Sequence, residues 1–557
     1  MKKINILGIF LLLGLLMISC STFLEEDNPS GVNSATFYAT ESGAESGVKA
    51  CYTFMRQYYG KEEGYHLSEL GTDIFTASDG CVAPEFDSYN ISLSGSSATL
   101  DDIWESMYLA LNTCNELIDK IPSSAMGETM KKIRLGEVHF LRAFYLWHIV
   151  EIWGDVVLQT VPTTSPQTEV HRSTKEEFYQ VIKEDLKYAV DNLPEITTEY
   201  GRVTKPIAEA FSARIYLYTK DYSEALKYAN SLISNGDYAL ANTYQELVDM
   251  ATCNTVKENI FVCNYASFSN NNFNNSIIYG PNGENMTKRD GGNNAHMFFL
   301  STYDKVADKN GKVPVDRSIL YGRPFNRIMP TLYFLDLFDE KMDSRYESLI
   351  QQVWYCNNTK SAPLINLGDT AIFFTKHEVA AEVEATKPYV IHDRSYVYNA
   401  DGTVKNGKFN TGFIKFIDPT RESVSQQSSN RDCVIIRLAE MYLIAAEAYH
   451  YQNNNEKAAE MINYIRRRAA RPGHEAEMEV SPNDIDIDFI LDERGRELCG
   501  EMQRWFDLNR TGKLVERVKL HNPDAIGIAA YHTKRPIPQS MLDAVTNKEE
   551  FKQNDGY

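Results

Sequence analysis

The segment from residue 205 to residue 234 constrains the fold more than any other. It reads Lys205-Pro-Ile-Ala-Glu-Ala-Phe-Ser-Ala-Arg-Ile-Tyr-Leu-Tyr218, then Thr219-Lys-Asp-Tyr-Ser-Glu-Ala-Leu-Lys-Tyr-Ala-Asn-Ser-Leu-Ile-Ser234. Its apolar residues recur at helical spacing on both sides of Lys220-Asp221-Tyr222, which predicts two helices joined by a tight turn. Asp221 is placed to cap the second helix, with Glu224 closing a capping box. Small Ala208, Ala213, Ala225 and Ala229 let the two helices approach closely. A second hairpin of the same design is expected from Arg437 to Arg468, turning near Asn453–Asn455. One such hairpin cannot bury its apolar face alone, so hairpins of this kind stack.

The pattern resembles a tetratricopeptide repeat, a helix hairpin of about 34 residues. Further helices are expected over 101–121, ended by Pro122; over 130–153; and from a capping box at Ser173–Glu176 to about Leu193. Residues 251–430 differ, being rich in Asn, Gly, Ser and aromatics, and predict ordered loops and turns. A short helix is expected within them from Thr331 to Asp339. The fold class is thus mainly α, a tetratricopeptide-like hairpin scaffold carrying a loop-rich irregular insertion. The expected organisation is a leader at 1–19, an N-terminal helical region at 20–250, the insertion at 251–430 and a C-terminal helical region at 431–557.

The leader begins Met1-Lys2-Lys3 and continues as an apolar run to Ile18, followed by Ser19-Cys20. A charged start, a short apolar core and a small residue before the cleavage point predict a secretory signal. The run is shorter than the roughly 20 residues a membrane span needs. Its end resembles a bacterial lipobox, which makes Cys20 the expected lipid-bearing N-terminus. Acyl chains hold by burying CH₂ groups at about 0.8 kcal/mol each. Glu25-Glu26-Asp27 then resemble an export signal to the outer face of the outer membrane; the alternative is a solvated linker.

The formal charge is -20, and becomes -22 once Lys2 and Lys3 leave with the signal. So acidic a chain repels phosphate backbones, which argues against nucleic acid as a partner. Nine cysteines are present. Beyond Cys20 there is no CxxC, and the spacings are long and irregular. Cys433 and Cys499 sit in apolar contexts; Cys253 and Cys263 are the two most easily bridged.

Catalytic signatures are sparse. No G-x-S-x-G, Walker A or G-x-G-x-x-G occurs. His377-Glu378 begins like a zinc-protease motif, but Ala381 stands where the second His belongs, so no metal site is expected. Asp484, Asp486 and Asp488 lack the glycine of a calcium loop, since Phe489 occupies its place; they are read as caps for the following helix. Glu493, Glu497 and Asp507 alternate with Arg494, Arg496, Arg504 and Arg510 and are read as an ion-pair network rather than a glycosidase pair. Trp104, Trp147, Trp153 and Trp505 are assigned to packing. No cofactor is expected, and the sequence leaves a structural calcium open.

Sugar recognition asks for aromatic faces against C–H faces, with amides, carboxylates and guanidiniums for the hydroxyls. Two loop regions carry such residues. One holds Asp73, Phe86 and Tyr89; the other holds Phe273, Tyr279, Asn294, Tyr321 and Trp354. These are the candidate ligand contacts, with loop packing as the competing role of each aromatic.

Several stretches together resemble the SusD/RagB nutrient-binding lipoproteins. They include Phe23-Leu24, Phe140-Leu-Arg-Ala-Phe-Tyr145 running to Trp153-Gly154-Asp155-Val-Val-Leu158, and Gly201-Arg-Val-Thr-Lys205. Pro330-Thr331, Phe338–Arg345, Arg437–Ala448, Ile465–Ala469, Asp492–Leu498, Gln503–Lys513, Arg535–Ser540 and Gln553–Tyr557 continue the likeness. Gly495 inside a predicted helix and Asp555 near the end depart from the family pattern. The resemblance implies a non-catalytic, surface-displayed outer-membrane lipoprotein that binds oligosaccharide. It also implies delivery to a SusC-like TonB-dependent transporter as the protein partner. Peptide cargo, a surface glycoside hydrolase and a scaffold that binds only protein are the alternatives. No ligand motif of the family carries over residue by residue.

Overall fold

In the computed structural model the described residues are 34–265, 292–358 and 365–557. The main helices in chain order are α1 (Glu41–Thr53), α2 (Ala98–Lys120), α3 (Glu128–Trp153), α4 (Lys175–Asn192), α5 (Lys205–Tyr218) and α6 (Tyr222–Ile233). After the middle region come α7 (Leu438–Tyr451), α8 (Asn455–Ala469), α9 (Ile487–Leu498) and α10 (Arg504–Arg510). From α1 to α8 each helix packs on the next, so the helices form one continuous row. The row ignores the long gap in sequence between α6 and α7. Across that seam Arg214 bonds Glu440 at 2.7–2.8 Å, and the rings of Tyr222 and Tyr451 stack at 4.8 Å.

Local sequence explains each hairpin. Asp221 accepts a bond from the Glu224 backbone N–H, and Asn454 does the same for Lys457, so both turns end in a side-chain cap. The box before α4 lies one residue further on than expected: Thr174 and Glu177 form it, not Ser173 and Glu176. Pro122 does not stop the chain's winding at once but sits inside a short 3₁₀ turn, Ile121–Ser123. Proline fits there because the first turn of a helix needs no N–H from it. Asp486 caps α9 by accepting from Phe489, as its place in the sequence suggests. Gly495 lies within α9 where an added Cβ would stand 3.3 Å from the Arg504 guanidinium. Its smallness is what lets Arg504 cross the helix.

Helix α3 is buried from Val138 to Trp153 on nearly every side and is the axis of the N-terminal half. Trp104, Trp147, Trp153 and Trp505 all lie in this core. The longer strands are still short: β1 (Phe75–Ala77), β2 (Asn259–Cys263), β3 (Ile328–Pro330), β4 (Val353–Tyr355), β5 (Thr370–Phe374), β6 (Val390–His392) and β7 (Cys433–Arg437). β2 pairs antiparallel with β7, so the two ends of the middle region are tied together at its base. β4, β5 and β6 form a small sheet with its own apolar cluster around Trp354, Tyr303, Tyr321 and Phe374. β1 pairs with β3 and fixes the middle region to the N-terminal half. Among the described residues no helix is long and apolar enough to cross a membrane.

Candidate ligand-binding surface

The loop between α4 and α5 turns at Gly201, whose φ of +83° suits glycine. That turn brings Tyr200 and Arg202 against the end of α1 and the end of β2. Between them lies a cleft of about 350 Å³, lined by Lys49, Tyr52, Arg56, Tyr200, Arg202 and Asn264 among others. Its floor is an ion-pair cluster. Arg202 meets Glu137 at 2.9 Å, Arg134 meets Glu137 at 2.6 Å and Glu45 at 2.7 Å, and Tyr52 donates to Glu137 at 2.5 Å. Burial opposes ionisation of Glu45, but Arg202 and Arg134 outweigh it and lower its pKa. The rim is held by Asp432, which accepts from the Tyr200 hydroxyl at 2.5 Å and from Asn264 at 3.3 Å. Tyr200 is nevertheless 65% exposed, so its ring face is open. Arg56 donates to the Asn264 carbonyl at 3.1 Å and lies over the Tyr265 ring.

A second feature is tied to the chain at Glu62, six residues after the cleft's Arg56. In residues 323–327, which lead through a left-handed Asn326 into β3, Arg323, Phe325 and Arg327 are partly exposed while Pro324 and Asn326 between them are buried. The two guanidiniums lie 5.3 and 5.1 Å from the Phe325 ring centre. Arg327 is fixed by Glu62 at 2.8 Å and by the Gly80 carbonyl, and Arg323 by the Ser425 carbonyl. Chemically, cleft and strip together offer aromatic faces, guanidiniums, an amide and carboxylates within reach of solvent. Those are the groups that recognise polyhydroxylated ligands.

The residues singled out from sequence go elsewhere. Asp73 is fully buried and held by Arg504 at 2.6–2.7 Å and Arg517 at 2.9 Å. Burial alone would raise its carboxyl, but the two arginines hold it at about 2. Phe86 and Tyr89 come together, but as walls of a buried box around the Arg535 guanidinium, with Trp505 as a third wall at 4.7 Å. Asn294 is buried, accepting from Lys61 at 2.8 Å and donating to the Gln427 carbonyl at 2.8 Å. Tyr321 and Trp354 also meet, inside the small apolar cluster of the middle region. Phe273 and Tyr279, like Cys20, lie outside the described residues. The expectation of solvent-facing loop aromatics is therefore not met at Phe86, Tyr89, Tyr321 and Trp354, because loops on this scaffold fold back and bury their own rings. Sequence reading missed Tyr52, Arg56, Tyr200, Arg323, Phe325 and Arg327. Arg323-Pro-Phe-Asn-Arg327, two arginines flanking an aromatic, was the one local signal available.

The carboxylates of the C-terminal helices form the network expected of them. Arg345 bonds Glu493 at 2.7 Å and Glu497 at 3.0 Å; Arg437 bonds Glu258, Glu497 and Glu501; Arg494 bonds Asp507 at 2.6 Å. Burial works against charge at Glu493, yet Arg345, Arg496 and Arg466 depress its pKa well below the ordinary value. His377 does not lie on a helix and instead pairs with Glu340 at 2.6 Å. Among the described residues no group of three or more potential ligands is placed to hold a metal. Cys253 and Cys263 are not partners: the Cys253 sulfur touches Met250, while Cys263 faces Cys433 across the β2–β7 ladder.

The described residues thus form a helical-hairpin scaffold that carries a loop-built polar and aromatic surface. The SusD family matches residues 257–557, and the family described as starch-binding associating with outer membrane matches residues 22–217. The chain belongs to the SusD family. A SusD-like protein of Formosa agariphila is 25% identical to it, covering 97% of each chain. A laminarin binding SusD-like protein of known structure superposes with a TM-score of 0.68 at 22% identity, over 93% of this chain and all of the other. Surface glycan-binding protein A from Bacteroides thetaiotaomicron, solved in complex with laminarihexaose, gives 0.66 at 20% identity over 92% and 99%.

Proposed function

We propose that this protein captures an oligosaccharide at the bacterial surface without cleaving it and passes it to a SusC-like TonB-dependent transporter. The observation that carries this reading is the correspondence of both halves of the chain with the SusD family, whose similar members include proteins named for laminarin and glycan binding. Cys20 is its lipid anchor, on the outer face of the outer membrane. The Tyr200 cleft and the Arg323–Phe325–Arg327 strip are the glycan contacts, at the junction of the N-terminal helices with the insertion 251–430. A pyranose C–H face stacks on an open ring while guanidinium and amide groups bond its hydroxyls. The state of the carboxyls supports the non-catalytic part. Glu493, Glu497 and Asp507 are held ionised by arginines. Glu69 and Asp87, whose pKa values burial raises to about 8 and about 6, are sealed from solvent. A hydrolase needs an accessible acid and a second carboxyl facing it.

Calorimetric titration with a panel of oligosaccharides, followed by recovery of the ligand, tests the reading. Binding of one glycan class with the ligand recovered whole is the expected result. Shortened ligand would replace it with a hydrolase. Binding of peptides and no glycan would redirect the cargo assignment.

A further inference from the structure

The cysteines outside the anchor are buried or nearly so, and among the described residues one pair brings its sulfurs together. Cys51 on α1 and Cys114 on α2 have their Sγ atoms 3.7 Å apart, and both are fully buried. The approach is built into the helix crossing. α1 and α2 run antiparallel here, so Gly47, one turn before Cys51, meets Leu117, nearly one turn after Cys114. A Cβ on Gly47 would stand 2.7 Å from the Leu117 side chain, so the glycine leaves room for that side chain between the two helices. Tyr145 fixes the position further, donating its hydroxyl to the Cys51 carbonyl at 2.5 Å.

We propose that Cys51 and Cys114 form a disulfide in the exported protein, stapling α1 to α2. The inference rests on the leader reading, because thiols of exported chains meet an oxidising compartment. The sulfurs must close by about 1.7 Å to reach bonding distance, a displacement within side-chain rotation when the helices are already in contact. The reaction is thiol–disulfide exchange with a protein or small-molecule disulfide. One cysteine thiolate attacks the oxidant's disulfide and forms a mixed disulfide; the second thiolate displaces the oxidant's remaining thiol. Two protons and two electrons leave the pair, and the oxidant ends as two thiols. Burial and the neighbouring sulfur push the Cys51 thiol up in the folded protein. Exchange therefore belongs to the folding stage, before the core closes, and the finished cystine is then shielded from reductants. The residue after Cys51 is Tyr52, a wall of the Tyr200 cleft, so the staple fixes that wall to the helix row.

The test is differential alkylation of the full chain taken from the outer-membrane fraction, so that exported protein alone is read. Free thiols are blocked with one maleimide in denaturant, disulfides are reduced, and the released thiols take a second label. Peptide mass spectrometry then assigns each cysteine. Cys51 and Cys114 are expected to carry the second label, while Cys81, Cys253, Cys263, Cys356, Cys433 and Cys499 carry the first. In the Cys51→Ser variant, Cys114 should move to the first label; the readout is taken in denaturant and does not depend on that variant's stability. First label on Cys51 and Cys114 in the natural chain, or a bridge from either to another cysteine, overturns the proposal.

Discussion

Replacing Asp73 by Asn separates two roles that the same residue could hold. The side chain keeps its shape but loses the charge that faces Arg504 and Arg517. Holding the carboxyl at about 2 against its ordinary 3.8 corresponds to about 2.4 kcal/mol of preference for the ionised form. The variant also leaves the buried Arg504 guanidinium without its ion-pair partner, while Arg517 keeps Asp488 and Asp492; breaking a buried pair costs about 3–5 kcal/mol. For a chain of this length unfolding as one unit, the unfolding entropy is about 1.2 kcal/mol per kelvin. Asp73→Asn should therefore lower Tm by ~3–4 °C at pH 7. The sign with pH follows from the depressed pKa. The natural protein holds this stabilisation above about pH 4 and loses it as pH falls towards 2, whereas the variant has none to lose. The gap between the two should narrow on acidification, read by thermal or urea unfolding at pH 7 and pH 3. Glycan affinity, measured below Tm, should be unchanged. An unaltered Tm with lost glycan binding would refute the reasoning and return Asp73 to the ligand site.

Other residues give sharper readings of the site and the core. Tyr200→Ala should weaken glycan binding about ten-fold, the worth of one stacked ring, with Tm essentially unchanged; equal affinity in calorimetry would remove the cleft from the site. Trp354→Ala should cost about 3–5 kcal/mol, confined to the small cluster of the middle region, so hydrogen exchange should rise over β4–β6 while the helix row stays protected. Glu69 is raised to about 8 by burial, so its contribution is complete below pH 4.5 and lost as pH climbs to 8. Glu69→Gln should match the natural protein near pH 4.5 and exceed its stability by about 4–5 kcal/mol at pH 9; urea unfolding at the two pH values decides it.

The helix hairpins were legible because their determinants are local. Periodic alanines, Asp221 and Asn454 all act within four residues of themselves. The register of the α4 cap slipped by one because Ser173 and Thr174 are both competent caps, and the choice lies in how the chain arrives. The ligand surface was much less legible. Whether Phe86 faces water depends on Arg535, and whether Trp354 does depends on Tyr303 and Phe374; no local pattern encodes those meetings. The exposed Tyr200 stands just before Gly201–Lys205, a stretch read only for its likeness to the family. The ion-pair reading of α9 and α10 rested on helical spacing, which supplies Glu493–Arg496 and Asp507–Arg510; Arg345, Arg437, Arg466 and Arg468, which complete the network from distant parts of the chain, had no local signal.

The seam between α6 and α7 also sets an order of events. α6 ends at Ile233 and its packing partner α7 begins at Leu438, so the helix row cannot close until both ends of the polypeptide are available. A chain that emerges from its N-terminus must carry the apolar flank of α5 and α6 uncovered until α7 follows. Contacts this distant in sequence slow folding. The row thus works as a checkpoint on completeness: a chain cut short anywhere before α7 keeps an open edge that proteases and chaperones can read.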